Sequence, residues 1–131
     1  MRHWRILDMH GKTSATAGGI CFSWTTNGGN GAWTSWPPHE HEKDLEEVYC
    51  YFDMDDPHFG LHLSYVEPRD THGVVAHTVK SGTMILAPRG YHPTVAAPGT
   101  RNTYLWVLAA HSHKSRRYDL AVLDPKRAEM N

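Results

Sequence analysis

A chain of 131 residues with 40% hydrophobic and 21% charged residues carries enough apolar material for one packed core and too much for a disordered segment. Thirteen basic residues against fourteen acidic ones leave a formal net charge of -1, which excludes a global field able to draw in nucleic acid or an anionic membrane surface. No apolar stretch approaches the roughly 20 residues of a membrane span. The opening MRHWRILDMHGK also lacks the apolar run of a signal peptide, so the expected setting is the cytoplasm and the expected partner a small molecule.

Short apolar and β-branched segments alternate with Gly, Pro, Asn and Asp clusters, which is the pattern of an all-β domain. In chain order the predicted strands are Trp4 to Leu7, Gly19 to Thr26, Trp33 to Trp36, Glu47 to Phe52 and Gly60 to Val66. They continue with Val74 to Val79, Thr83 to Ala87, His92 to Ala96, Tyr104 to Ala110 and Tyr118 to Val122. Turn residues separate them, among them Asn27 to Gly31, Asp53 to Pro57, Lys80-Ser81-Gly82, Pro88-Arg89-Gly90 and Ala97-Pro98-Gly99. No long helix is expected. Short strands at this spacing predict a single jelly roll or related double-sheet barrel over residues 1–131, with its core at about 4–124 and a polar tail at 125–131; a sandwich is the runner-up. The two cysteines, Cys21 and Cys50, are too few for a disulfide framework and are expected to be reduced.

Histidine is over-represented, at 11 residues, and two stretches give some of them a chemical context. The first is Trp36-Pro37-Pro38-His39-Glu40-His41, followed after a charged turn by Leu45 to Phe52. Residues two apart on a strand share a face, so His39 and His41 can aim both imidazoles inward, and Glu47, opening the next strand, can lie beside them across a ladder. Glu46 has the opposite parity. The second stretch, Gly-x5-Pro-x-Gly-x-His from Gly82 to His92, supplies a fourth ligand. Three imidazoles and a carboxylate suit one divalent ion, zinc first, with Mn, Fe or Co as alternatives; the absence of thiolate argues against a closed structural site.

These two elements resemble the paired motifs of the cupin superfamily, and most closely those of the 5-deoxy-glucuronate isomerases of inositol catabolism. The resemblance rests on Gly31 to His41, on Leu45-Glu46-Glu47-Val48-Tyr49 and on Pro88-Arg89-Gly90-Tyr91-His92-Pro93, and it extends through Tyr104 to Ala109. It covers about Arg5 to Pro125 and corresponds to the second half of a family of tandem cupins. It departs from the family at Trp106, where a polar Asn is expected, and at His111. What it implies is a cupin-type double-stranded β-helix, with His39, His41, Glu47 and His92 holding the metal. The implied activity is an aldose-ketose isomerase acting on a sugar acid.

That reaction needs a proton moved between adjacent carbons, for which Tyr49, His77 and Lys80 are the candidates. Arg89 is a candidate for the substrate carboxylate, since a planar guanidinium pairs it in bidentate fashion, and Tyr91 and His62 are candidate pocket walls. Trp24, Trp33, Trp36 and Trp106 are expected in the core or a dimer interface. A homodimer is expected because a short cupin has open sheet to cover. An Fe-dependent dioxygenase-type cupin and a non-catalytic sugar-acid-binding cupin are the competing functions, because one fold serves many reactions.

Overall fold

The computed structural model describes residues 2–8, 16–24, 33–68, 72–115 and 117–128. The described residues form eleven strands: β1 (Arg2–Asp8), β2 (Thr16–Trp24), β3 (Trp33–Thr34), β4 (His39–Glu40), β5 (Leu45–Tyr51), β6 (Gly60–Ser64), β7 (Val75–Val79), β8 (Met84–Ala87), β9 (Thr94–Ala96), β10 (Arg101–Ala110) and β11 (Val122–Leu123). A five-stranded sheet runs β1-β2-β10-β5-β8, a four-stranded sheet runs β3-β9-β6-β7, and β11 pairs with β4 in a small third sheet. Every pairing is antiparallel. This is an all-β architecture of the double-sheet kind that the spacing of short strands and turns predicts, and of the cupin type that the family resemblance implies. Among the described residues no helix is long and apolar enough to cross a membrane.

β5 and β10 form the wall on which the site is built. Along β5, Leu45, Glu47, Tyr49 and Tyr51 are buried while Glu46 is exposed, the period-2 alternation of a strand with one face on a core. Across the ladder, Trp106 stands opposite Tyr49 and Leu108 opposite Glu47. Tyr49, Tyr51, Tyr104, Trp106, Leu108, Leu45, Met54 and Val79 belong to one buried cluster. The three tyrosine rings in it lie 5.0 to 6.3 Å apart. Such aromatic pairs add about 0.5–1.5 kcal/mol each beyond the area they bury.

Strand ends differ from expectation where side-chain or turn geometry overrides local propensity. The strand predicted over Trp33 to Trp36 stops at Thr34, since Ser35 takes a φ of 53°, outside the β region. His39 lies on a two-residue strand, and His41 already opens the turn whose Asp44 and Leu45 amides bond its carbonyl. The segment Tyr118 to Val122 is a single 3-10 turn followed by β11, and part of the predicted polar tail forms a one-turn helix, α1 (Pro125–Ala128). Thr25 and Thr26 of the second predicted strand lie outside the described residues.

Candidate metal centre

Three chain segments bring the histidines together. β4 carries His39, the turn after it carries His41, and the Pro88-Arg89-Gly90 turn delivers His92. Gly90 is required in that turn: its φ is 75°, and a Cβ there would meet the Tyr65 carbonyl oxygen at 2.5 Å. One ring nitrogen from each of His39, His41 and His92 lies within 4.8 Å of the others, and ring centroids are 5.1 to 5.9 Å apart. His41 and His92 are buried and His39 half-buried.

The backbone decides which nitrogen of each ring faces inward. Nδ1 of His39 lies 3.3 Å from the Pro37 carbonyl, Nδ1 of His41 3.3 Å from the Leu45 carbonyl, and Nδ1 of His92 2.9 Å from the Gly90 carbonyl. A carbonyl only accepts, so each Nδ1 carries a proton and each Nε2 is turned to the centre; the Nε2 of His41 also meets an acceptor, Glu47 Oε2 at 2.9 Å, and donates to it when no cation stands there. This carbonyl-to-imidazole support is the outer shell that orients histidine ligands around an ion.

Glu47 completes the cluster. Its Oε2 is 2.9 Å from Nε2 of both His41 and His92. The His92 contact lacks the alignment of a hydrogen bond, and this buried Nε2 has no such partner among the described residues. Lone pairs of two imidazoles crowded on a buried carboxylate repel unless a cation or shared protons lie among them. The donor set therefore fits a divalent ion bound by nitrogen and oxygen.

With no cation in the cluster, a proton shared between His41 and Glu47 relieves part of that repulsion. Burial disfavours the Glu47 anion, but the His41 and His92 imidazoles outweigh it and hold the carboxyl down to about 2. Burial, with help from His92, lowers His39 to about 4, which keeps it neutral. Burial also opposes protonation of His41, but hydrogen bonding and attraction to Glu47 prevail and raise it.

His39, His41 and Glu47 of the cluster line a cavity of about 170 Å³, together with Ser35, Leu45, Tyr49, Tyr104, Trp106, Leu108 and Ala121. The Tyr49 hydroxyl lies 3.1 Å from Ser35 Oγ. Tyr49 is pushed well above 10 by burial first and the Glu47 charge second, so it stays a neutral hydrogen-bond donor. Among the described lining residues none carries a lysine or arginine side chain.

The other predicted site residues lie elsewhere. His77 is exposed on the edge strand β7, and Lys80 and Arg89 are exposed in turns. Tyr91 is buried, stacked on Tyr65 at 5.0 Å. His62 is fully buried, bonded through Nδ1 to the Tyr51 hydroxyl at 2.7 Å, and is not among the cavity's walls. Ser35, Tyr104, Leu108 and Ala121 went unrecognised in the sequence, and Trp106 was expected in the core or a dimer interface. For β10 a signal exists, because Trp106 and Leu108 share the inward parity of Tyr104; Ser35 and Ala121 carry none.

Comparison with known proteins places this geometry. The chain is 38% identical over 87 residues to a 5-deoxy-glucuronate isomerase of Geobacillus kaustophilus (strain HTA426), a match covering 60% of this chain and 30% of that protein. It is 34% identical over 97 residues to the 5-deoxy-glucuronate isomerase of Bacillus subtilis (strain 168), covering 69% of this chain and 35% of that one. The chain thus spans about a third of the length of these relatives. Among solved structures, an IolB-like protein of Salmonella typhimurium LT2 matches with a TM-score of 0.65 and 25% identity, over 88% of this chain and 43% of that one. The model of the KduI/IolB family matches residues 6–126, and the chain, with its histidine-carboxylate centre in a cupin barrel, belongs to that family.

Proposed function

We propose that this chain is a metal-dependent sugar-acid isomerase that interconverts an aldose and a ketose, acting on 5-deoxy-glucuronate or a close relative. The observation that carries this reading is the convergence of three Nδ1-protonated imidazoles and the Glu47 carboxylate, with His39, His41 and Glu47 in the wall of a cavity. His39, His41, His92 and Glu47 would hold one divalent ion, with zinc the first candidate and Mn, Fe or Co the alternatives. Bound there, the ion supplies electrophilic stabilisation of the negative charge that develops on substrate oxygen during enolisation. Tyr49, a neutral donor beside Ser35, orients the substrate by donating a hydrogen bond to one of its oxygens, and the apolar walls from Trp106 and Leu108 exclude water. The exposed positions of His77, Lys80 and Arg89 support no role for them at the cavity's described walls.

The test is turnover of 5-deoxy-glucuronate by metal-loaded protein, followed as ketose formation. Activity should disappear on chelation and return with added divalent metal. No turnover by metal-replete protein would overturn the isomerase reading.

A second reading is favoured by one observation: the apolar walls offer no cationic side chain, among the described residues, to meet a substrate carboxylate. An iron-dependent, oxygen-consuming cupin acting on a less polar chelating molecule suits such walls. Oxygen uptake coupled to turnover would select it. We place the protein in the cytoplasm, where the free Cys50 thiol stays reduced. We also propose a homodimer, supported by Met84 and Leu86, which are 62% and 68% exposed on the edge strand β8. Sedimentation as a monomer at micromolar concentration would refute it.

A further inference from the structure

The ligands His39 and His92 come from segments far apart in sequence, and one buried contact joins their supports. Tyr65 forms a two-bond bridge with Tyr91, the neighbour of His92: the Tyr65 amide donates to the Tyr91 carbonyl at 3.1 Å and the Tyr91 amide to the Tyr65 carbonyl at 2.8 Å. The two rings stack. From this anchor the Tyr65 hydroxyl donates to Asp124 Oδ2 at 2.8 Å. Asp124 is fully buried, accepts the Lys126 amide at Oδ1, and donates its own amide to the Pro38 carbonyl at 2.8 Å, one residue before His39. β11, immediately before it, pairs Leu123 with His39 and Val122 with Glu40. Ala121 then lines the cavity itself.

We propose that the Tyr65–Asp124 hydrogen bond is a strut that sets the spacing between the His39 and His92 segments, which makes Tyr65 and Asp124 positioning residues for the metal centre. This rests on the metal-centre reading above. A buried carboxylate that accepts from a tyrosine and a backbone amide is worth its desolvation only where geometry is held tightly. Here it ties the segment after β10 to the strand that carries a ligand and to the turn that carries another. β11 and Asp124 thus form part of the site.

The experiment titrates Co(II) alone into metal-free protein and follows its visible absorption and its affinity, alongside the thermal midpoint of the metal-free form. Tyr65→Phe removes only the hydroxyl, and Asp124→Asn removes the charge while keeping the Pro38 contact. Thr100→Ala, which removes hydroxyl bonds to the Phe59 and Ala97 carbonyls in a turn without ligands, is the control. Tyr65→Phe and Asp124→Asn should each weaken Co(II) binding about tenfold or more, in the range measured for outer-shell partners, and shift the absorption band. The control should leave both unchanged. Unaltered affinity and spectrum in both variants, an equal loss in the control, or failure of both variants to fold without metal would overturn the strut. Wild-type protein that binds no Co(II) overturns the metal-centre reading and the strut together, an outcome distinguishable because it appears before any substitution is made.

Discussion

His92 and His62 are equally withdrawn from solvent, at 1% and 0% exposure, and their rings lie near-parallel with centroids 6.4 Å apart, yet their surroundings differ. His92 shares its space with two further imidazoles and a carboxylate, and its Nδ1 is held by a backbone carbonyl. His62 is held by a hydroxyl network. Tyr51 donates to Thr94 Oγ1 at 3.0 Å, while Thr94 donates to the Leu61 carbonyl and accepts the Asn102 amide. Tyr51 has one proton to give, so it accepts from His62 Nδ1. The His62 Nε2 is then a lone pair with no hydrogen-bond partner among the described residues. Both rings have the tautomer a metal requires, but only one lies where other donors converge. Convergence of donors, more than burial or tautomer, distinguishes a ligand from a core histidine.

The largest test of this difference is removal of each ring. His92→Ala should lower metal affinity by about a thousandfold or more, since loss of a ligand exceeds the ten- to hundredfold effect of an outer-shell partner. Metal analysis after dialysis checks this, and wild-type stoichiometry in the variant would break the comparison. His62→Ala should keep full stoichiometry and lose stability instead. Leaving the Tyr51 hydroxyl without its donor in a buried site costs about 1–3 kcal/mol, readable by denaturant unfolding.

Acid should sharpen the contrast in the metal-free protein. His62 is lowered to about 3, by burial and then by His92, and His39 to about 4, both below an unfolded value of 6.5. A depressed folded value means stability is present above 6.5 and lost as pH falls towards the folded value. Each of the two therefore contributes a slope of up to about 1.4 kcal/mol per pH unit below 6.5. His41, raised by Glu47, works the other way and loses its contribution as pH rises above 6.5. Thermal midpoints of metal-free protein should fall between pH 6.5 and 4, and His62→Gln should make that fall shallower. An unchanged limb would show that His62 does not titrate as its surroundings require.

Smaller effects lie at the edges of the comparison. Tyr51→Phe breaks two buried hydrogen bonds and leaves the His62 Nδ1 proton without its acceptor, so it should cost about 1–3 kcal/mol with metal content unchanged. Arg89→Ala, at an exposed turn beside the His92 segment, should stay within about 0.5 kcal/mol of the parent stability. A larger change measured by calorimetry would mean that the turn needs its guanidinium.

Much of this was legible in the residues themselves. Period-2 alternation decides that Glu47 faces inward and Glu46 outward, because successive strand side chains point to opposite faces whatever the partner strand is. Turn chemistry is equally local: Gly90 must take a positive φ, and the Pro-x-Gly-x-His spacing follows from it. The strands of the barrel and the family's motifs were accessible for that reason, but strand parity is not what joins His41 to His39 and Glu47, since His41 lies in the turn after β4 and β5 pairs with β10 and β8 while β4 pairs with β11. Only the tertiary structure decided which lone pairs meet, since the carbonyls of Pro37, Leu45 and Gly90 orient rings through backbone geometry that no side-chain pattern encodes. It also decided that Arg89, Lys80 and His77 stand in solvent while Ser35 and Ala121 reach the cavity, because strand ends and edge positions depend on what packs against them. Asp124 shows the same limit. It stands at the predicted boundary between core and tail with no motif around it, and its burial against Tyr65 follows from the pairing of β11 with β4, a contact between segments more than 80 residues apart.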